Sequence, residues 1–226
     1  WEMHGYDRPI YCNVEYPHGN TPPFIKARPG YNDGGKNYGI NPVGSYVRFF
    51  QVPEDWHGQR TILHFGGIYS AANVWINGEY VGYTQGANNV AEFDITKFLK
   101  KGIQNRLAVE VFRWSDGSYL ECQDMFRMSG IFRDVYVYNV PTVSVRDHYI
   151  TSTLSPDYKD ATMQVEMRFD PIQGGHDEKK LITVKVFDPQ GKEVAQQEVT
   201  YGLFDAGFSR YRAAVAFELQ NVAAWT

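Results

Sequence analysis

The sequence predicts an all-β protein built as two consecutive β-sandwiches, and three observations lead there. Short runs alternating apolar and polar residues recur along the chain and are punctuated by Gly, Pro and Asn, the pattern of half-buried strands joined by turns. No stretch sustains a 3.6-residue apolar period, so helix is expected in fewer than about a tenth of the residues. Pro141-Thr142 separates two such sets of strands, which places a jelly-roll type of sandwich over 1–141 and an immunoglobulin-like sandwich over 142–226.

Taken in order, residues 1–23 read as irregular, because prolines at 9, 17, 22 and 23 interrupt any ladder. A short extended piece is expected over Ile10 to Tyr16. Arg28 to Pro42 carries Gly30, Gly34, Gly35 and Gly39 and reads as a long exposed loop. Ser45 to Val52 alternates with both faces partly covered, and Gln59 to Phe65 and Asn73 to Ile76 follow as strands. Asn77-Gly78 then sits between strand-like Ala72 to Ile76 and Glu79 to Tyr83, a hairpin signal because both turn positions take φ > 0. Val90 to Asp94 is a further strand, and Ile95 to Lys101 a brief helical turn ended by Gly102. Leu107 to Arg113 and Ile131 to Tyr138 form two strands around a central loop. Beyond Pro141, five strands are expected over Val143–Leu154, Ala161–Phe169, Leu181–Phe187, Glu193–Tyr201 and Tyr211–Leu219, one or two fewer than an immunoglobulin sandwich usually has.

Composition narrows function. Aromatics make up 15% and hydrophobic residues 43% of the 226 residues, ample core material. A net charge of −4, with Lys100-Lys101 and Lys179-Lys180 as isolated pairs, gives no basic footprint for nucleic acid. No apolar run approaches the roughly 20 residues of a membrane-spanning helix. The chain opens at Trp1 with no visible leader and reads as cut from something longer at both ends. Cys12 and Cys122 offer no metal spacing and are expected as free thiols rather than a disulfide. The six histidines show no i, i+4 pair.

The central loop runs from Trp114 to Gly130. Loops this long in compact domains are more often functional than idle. It interleaves Asp116, Glu121, Asp124 and Arg127 with Trp114, Tyr119 and Phe126, suiting a polyhydroxylated ligand whose hydroxyls meet carboxylates and whose C–H faces meet rings. A self-packed surface loop would carry the same residues, and on these alone the two readings stand level.

Trp114-Ser-Asp-Gly-Ser-Tyr-Leu-Glu121, Gln123-Asp-Met125, Arg127 and Ser129-Gly-Ile-Phe-Arg-Asp-Val135 resemble the signature loop of family 2 β-galactosidases, in their N-terminal sugar-binding domain. Gly5-Tyr-Asp7, Pro9-Ile-Tyr11, Asn13, Tyr16-Pro17, Pro22-Pro23, Asn41-Pro42, Gly44, Val74-Trp75, Asn77-Gly78 and Glu92-Phe-Asp94 agree in the same order. The resemblance is close over 1–141 and general over 142–226. It implies a β-galactoside substrate, with Asp124 accepting hydrogen bonds from galactosyl hydroxyls and helping to hold sodium, and Asn13 as a sugar-contacting amide. Sodium and magnesium are implied for the full-length parent, as is an oligomer. The two catalytic glutamates are implied to lie on a following (β/α)₈ barrel of the same chain, so this portion is expected to be catalytically silent. Glu121 and Asp124 are a poor acid/nucleophile pair, because a solvated loop lacks the burial that raises an acid's pKa. Arg113, Arg127 and Arg133 with Asp116, Glu121 and Asp134 read as a salt-bridge set pinning the loop, and Trp114 and Tyr119 as packing. Cys122 and Phe126 depart from the family's usual Asp and Trp, which leaves fine specificity open. A stand-alone lectin-like module and a ligand-free scaffold are the competing readings.

Overall fold

The computed structural model describes residues 2–6, 10–11, 22–25, 41–56, 59–121, 124–141, 143–169, 180–203 and 211–223. The chain divides into two compact units, Trp1–Val140 and Pro141–Thr226. Both are all-β. Among the described residues the helical content is three 3₁₀ turns, Glu2–His4, Thr96–Phe98 and Asp116–Tyr119.

In the first unit the strands are β1 (Ile10–Tyr11), β2 (Val43–Phe50), β3 (Arg60–Phe65), β4 (Ile68–Tyr69), β5 (Ala71–Ile76), β6 (Glu79–Gln85), β7 (Ala91–Asp94), β8 (Asn105–Phe112), β9 (Phe126–Arg127), β10 (Gly130–Ile131) and β11 (Val135–Val140). A four-stranded sheet in the order β2-β8-β5-β6 faces a three-stranded sheet β11-β3-β7, all pairs antiparallel. The alternation read in the sequence explains the packing. Val74 and Ile76 of β5, Leu107, Val109 and Val111 of β8, and Leu63 and Phe65 of β3 turn to one shared core, joined by Phe93 and Val137. Asn77 at φ 55 and Gly78 at φ 91 make the expected hairpin turn between β5 and β6.

Three local readings change. In β2 only one face is covered: Tyr46 and Phe50 pack inward while Val47 and Phe49 stand 61% and 54% exposed. The strand expected over 131–138 is two strands in different pairings, β10 with β4 and β11 with β3. The break follows from Gly130 at φ +104 and from Phe132, whose ring packs where a side chain on Gly67 would stand. The central loop also contains β9, which pairs with β1, so the extended piece at Ile10 has a partner inside the loop. Residues 12–16 and the Gly-rich 28–40 lie outside the described residues, as do both cysteines.

In the second unit the strands are β12 (Val145–Leu154), β13 (Ala161–Phe169), β14 (Lys180–Phe187), β15 (Glu193–Leu203) and β16 (Tyr211–Leu219), in the order β12-β13-β16-β15-β14. β15 joins β14 over most of its length and touches β16 only at Gly202 and Leu203. Two layers result, and Val165, Met167 and Phe169 with Ala213, Val215 and Phe217 form a core against Ile182, Val184 and Val199.

Candidate functional site

The loop from Trp114 onward leaves the end of β8 and is fastened at its root. Arg113 N–H donates to Pro42 O at 3.0 Å. At Trp114 the Asn41 side chain mimics a strand partner: its Nδ2 donates to Trp114 O at 2.8 Å, and its Oδ1 accepts Trp114 N–H at 3.0 Å. The Trp114 ring is 1% exposed, in a small cluster with Tyr69, Ala87, Ile25 and Met125. It meets Tyr69 edge-to-face, ring centroids 6.3 Å apart, a geometry worth about 0.5–1.5 kcal/mol beyond area burial. The 3₁₀ turn that follows is closed by Ser118 N–H to Ser115 O at 2.9 Å and Ser115 N–H to Ser118 Oγ at 3.0 Å. Tyr119 donates its hydroxyl to Phe24 O. Trp114 is thus a packing residue, and Tyr119 is tied to the backbone through its hydroxyl.

Two of the charged residues expected to pin the loop bond backbone groups directly. Glu121 Oε1 accepts Ala87 N–H at 2.9 Å, and Arg133 Nη1 donates to Gly66 O and Asn88 O at 3.2 and 3.3 Å. These are charge-assisted bonds to backbone, worth about 1.5–3 kcal/mol each. Asp116 Oδ1 accepts Gly117 N–H. Tyr83 has its pKa raised above 10.0, first by burial and then by the charge of Asp116.

Asp124 is exposed, and among the described residues no group bonds its carboxylate. Its neighbours on the loop include Phe126, 64% exposed, and Met125, which packs into the Trp114 cluster. Asn13 lies outside the described residues, as does the Arg127 side chain. Among the described residues no group of three or more His, Cys, Asp or Glu that could hold a metal occurs. A cleft of about 210 Å³ opens beside Tyr6, Gly44, Tyr46, Arg113 and Gly130. It adjoins the loop root, and Asp124 does not line it.

Sequence reasoning placed Glu121 among the residues pinning the loop but not its partner Ala87, and it missed Asn41 on Trp114. The Gly86-Ala-Asn-Asn89 composition was a readable turn signal, but its partner 34 residues away was not.

A family model described as the glycosyl hydrolases family 2 sugar binding domain matches residues 1–141. The chain belongs to glycosyl hydrolase family 2. A β-galactosidase of Priestia megaterium is 43% identical over 202 residues, 87% of this chain and 18% of that protein. The chain therefore spans under a fifth of that relative's length. Among solved family 2 structures, a Bacteroides uniformis β-glucuronidase superposes with a TM-score of 0.67 at 23% identity, over 83% of this chain and 23% of that one. A family 2 member from Bacteroides cellulosilyticus gives 0.66 at 18% identity, over 96% and 27%. At these identities the superpositions show the family 2 fold.

Proposed function

We propose that this chain is the non-catalytic N-terminal part of a retaining β-galactosidase and that its central loop forms one wall of the galactose pocket. The observation that carries the reading is a loop fastened at its root whose exposed Asp124 has no bonding partner among the described residues, in a chain 43% identical to a β-galactosidase. An ionised carboxylate only accepts, so Asp124 suits two sugar hydroxyls or a hard cation. Asn13, with donor and acceptor together, suits a hydroxyl that must do both. Sodium at Asp124 would supply a fixed positive centre for a substrate hydroxyl. Magnesium in the same polypeptide would take its ligands outside the described residues. Retaining hydrolysis needs two carboxylates about 5–5.5 Å apart, and these we assign to a (β/α)₈ barrel of the longer polypeptide, with no role for nucleic acid or membrane and with an oligomeric parent.

The test is Asp124→Ala in the complete polypeptide carrying this sequence. Losing two charge-assisted hydrogen bonds of about 1.5–3 kcal/mol each should lower kcat/KM by about 10² to 10⁴. Melting should not change. Unaltered kinetics would refute the reading, and micromolar lactose binding by residues 1–226 alone would favour a stand-alone binding module instead.

A further inference from the structure

Glu121 and Arg133 lie on either side of Asp124 in sequence, and both bond the same short turn. Gly86–Asn89 connects β6 of one sheet to β7 of the other and is closed by Asn89 N–H to Gly86 O at 3.0 Å. Glu121 Oε1 takes the N–H of Ala87 at 2.9 Å, and Arg133 Nη1 donates to the carbonyl of Asn88 at 3.3 Å. Ala87 itself is 0% exposed and packs against Trp114 and Met125. Water therefore does not compete well for its N–H, and Met125 ties the residue next to Asp124 to the same spot. The turn is thus held by a segment before Asp124, by its immediate neighbour and by a segment after it.

From this we infer that the Gly86–Asn89 turn is the platform that positions Asp124 toward the sugar, with Glu121 as the positioning residue that acts through Ala87. The inference rests on the reading of Asp124 as a sugar-contacting carboxylate. A loop carboxylate displaced by about 1 Å can cost up to about a hundredfold in rate. The carboxylate of Glu121 does not touch substrate in this account. Its function is to fix the loop coordinate on which Asp124 depends.

The experiment compares Glu121→Ala, Glu121→Gln, Asp124→Ala and the double variant E121A/D124A in the complete polypeptide. KM and kcat are measured for an aryl β-galactoside, and hydrogen exchange is followed at the Ala87 amide. E121A should speed Ala87 exchange and raise KM about tenfold, with kcat changing less, as for a misplaced binding group. E121Q retains an oxygen for the Ala87 N–H and should stay within about threefold of the parent. In the D124A background E121A should add less than about twofold, because a residue acting only through another shows no further effect once that one is gone. Full additivity in the double variant, or faster Ala87 exchange in E121A with KM unchanged, would overturn the inference while leaving Asp124 in place. Should D124A alone leave the kinetics unaltered, the Asp124 reading fails and the inference falls with it.

Discussion

Replacing Asn41 by Ala should cost the first unit about 2 kcal/mol, because one amide satisfies both backbone groups of a buried tryptophan. Trp114 is 1% exposed, its N–H is 3.0 Å from Asn41 Oδ1 and its carbonyl is 2.8 Å from Asn41 Nδ2. A backbone group left unsatisfied costs about 1–3 kcal/mol. Asn41 is itself only half-buried, so water reaches part of the gap and the low end applies to each bond. For a chain of this size the loss corresponds to a fall of roughly 4–8 °C in the melting temperature of that unit. The assay is a urea melt followed by tryptophan fluorescence, with the m-value expected to hold. Asn41→Asp is the informative companion. It retains the acceptor for Trp114 N–H but sets a carboxylate against the Trp114 carbonyl, so it should be no more stable than N41A. A loss below about 0.5 kcal/mol in N41A, the range of ordinary surface substitutions, would refute the idea that this clasp fastens the loop root.

Asn105→Ala should cost more, about 3 kcal/mol in a urea melt, since the 0% exposed amide accepts from Asn77 Nδ2 and Lys100 N–H and donates to Lys100 O and Ile103 O. Gly130→Ala combines φ +104 with a Cβ only 2.5 Å from Tyr46 Oη, and thermal melts should show a loss of about 2–4 kcal/mol, with Tyr46→Phe recovering only the steric part. In the second unit, the Ser155 hydroxyl donates to Asp157 at 2.7 Å and, with backbone N–H groups, holds its pKa below 3.8. A depressed carboxylate contributes stability above its ordinary pKa that is lost as pH falls through the lower folded value. Ser155→Ala should accordingly move the NMR titration of Asp157 upward toward 3.8. An unmoved midpoint would assign the depression to the backbone donors and the Lys159 side chain.

The strands were legible wherever a buried face repeated every second residue. Ala161–Phe169 and Tyr211–Leu219 could be bounded from the sequence because Val165, Met167 and Phe169 alternate with Glu166 and Arg168, and Ala213, Val215 and Phe217 alternate with small Ala214 and Ala216 between Arg212 and Glu218, and both sets are buried. The Asn77-Gly78 turn was legible because its dihedral requirement is written in two residue types. Two-residue strands were not, since Ile68–Tyr69 and Phe126–Arg127 have no period and exist only through their partners at 130–131 and 10–11. The loop fasteners escaped for a related reason. Asn41 meets Trp114 across 73 residues and Glu121 meets Ala87 across 34, and a side chain that bonds a distant backbone leaves no local pattern. At the candidate site, the residue types of the loop were readable, but that Glu121 fastens it through the Ala87 amide was decided by tertiary neighbours.

That division has a physical logic. Two carboxylates three residues apart in one loop have the same chemistry in isolation, yet Glu121 accepts the N–H of a fully buried Ala87 while Asp124 stands in solvent. The first stabilises the loop with a bond that solvent cannot easily replace. The second contributes nothing of that kind to folding and keeps its lone pairs available. The apolar side chains divide as well: Trp114 is consumed by the core, whereas Phe126 and Leu120 remain 64% and 86% exposed.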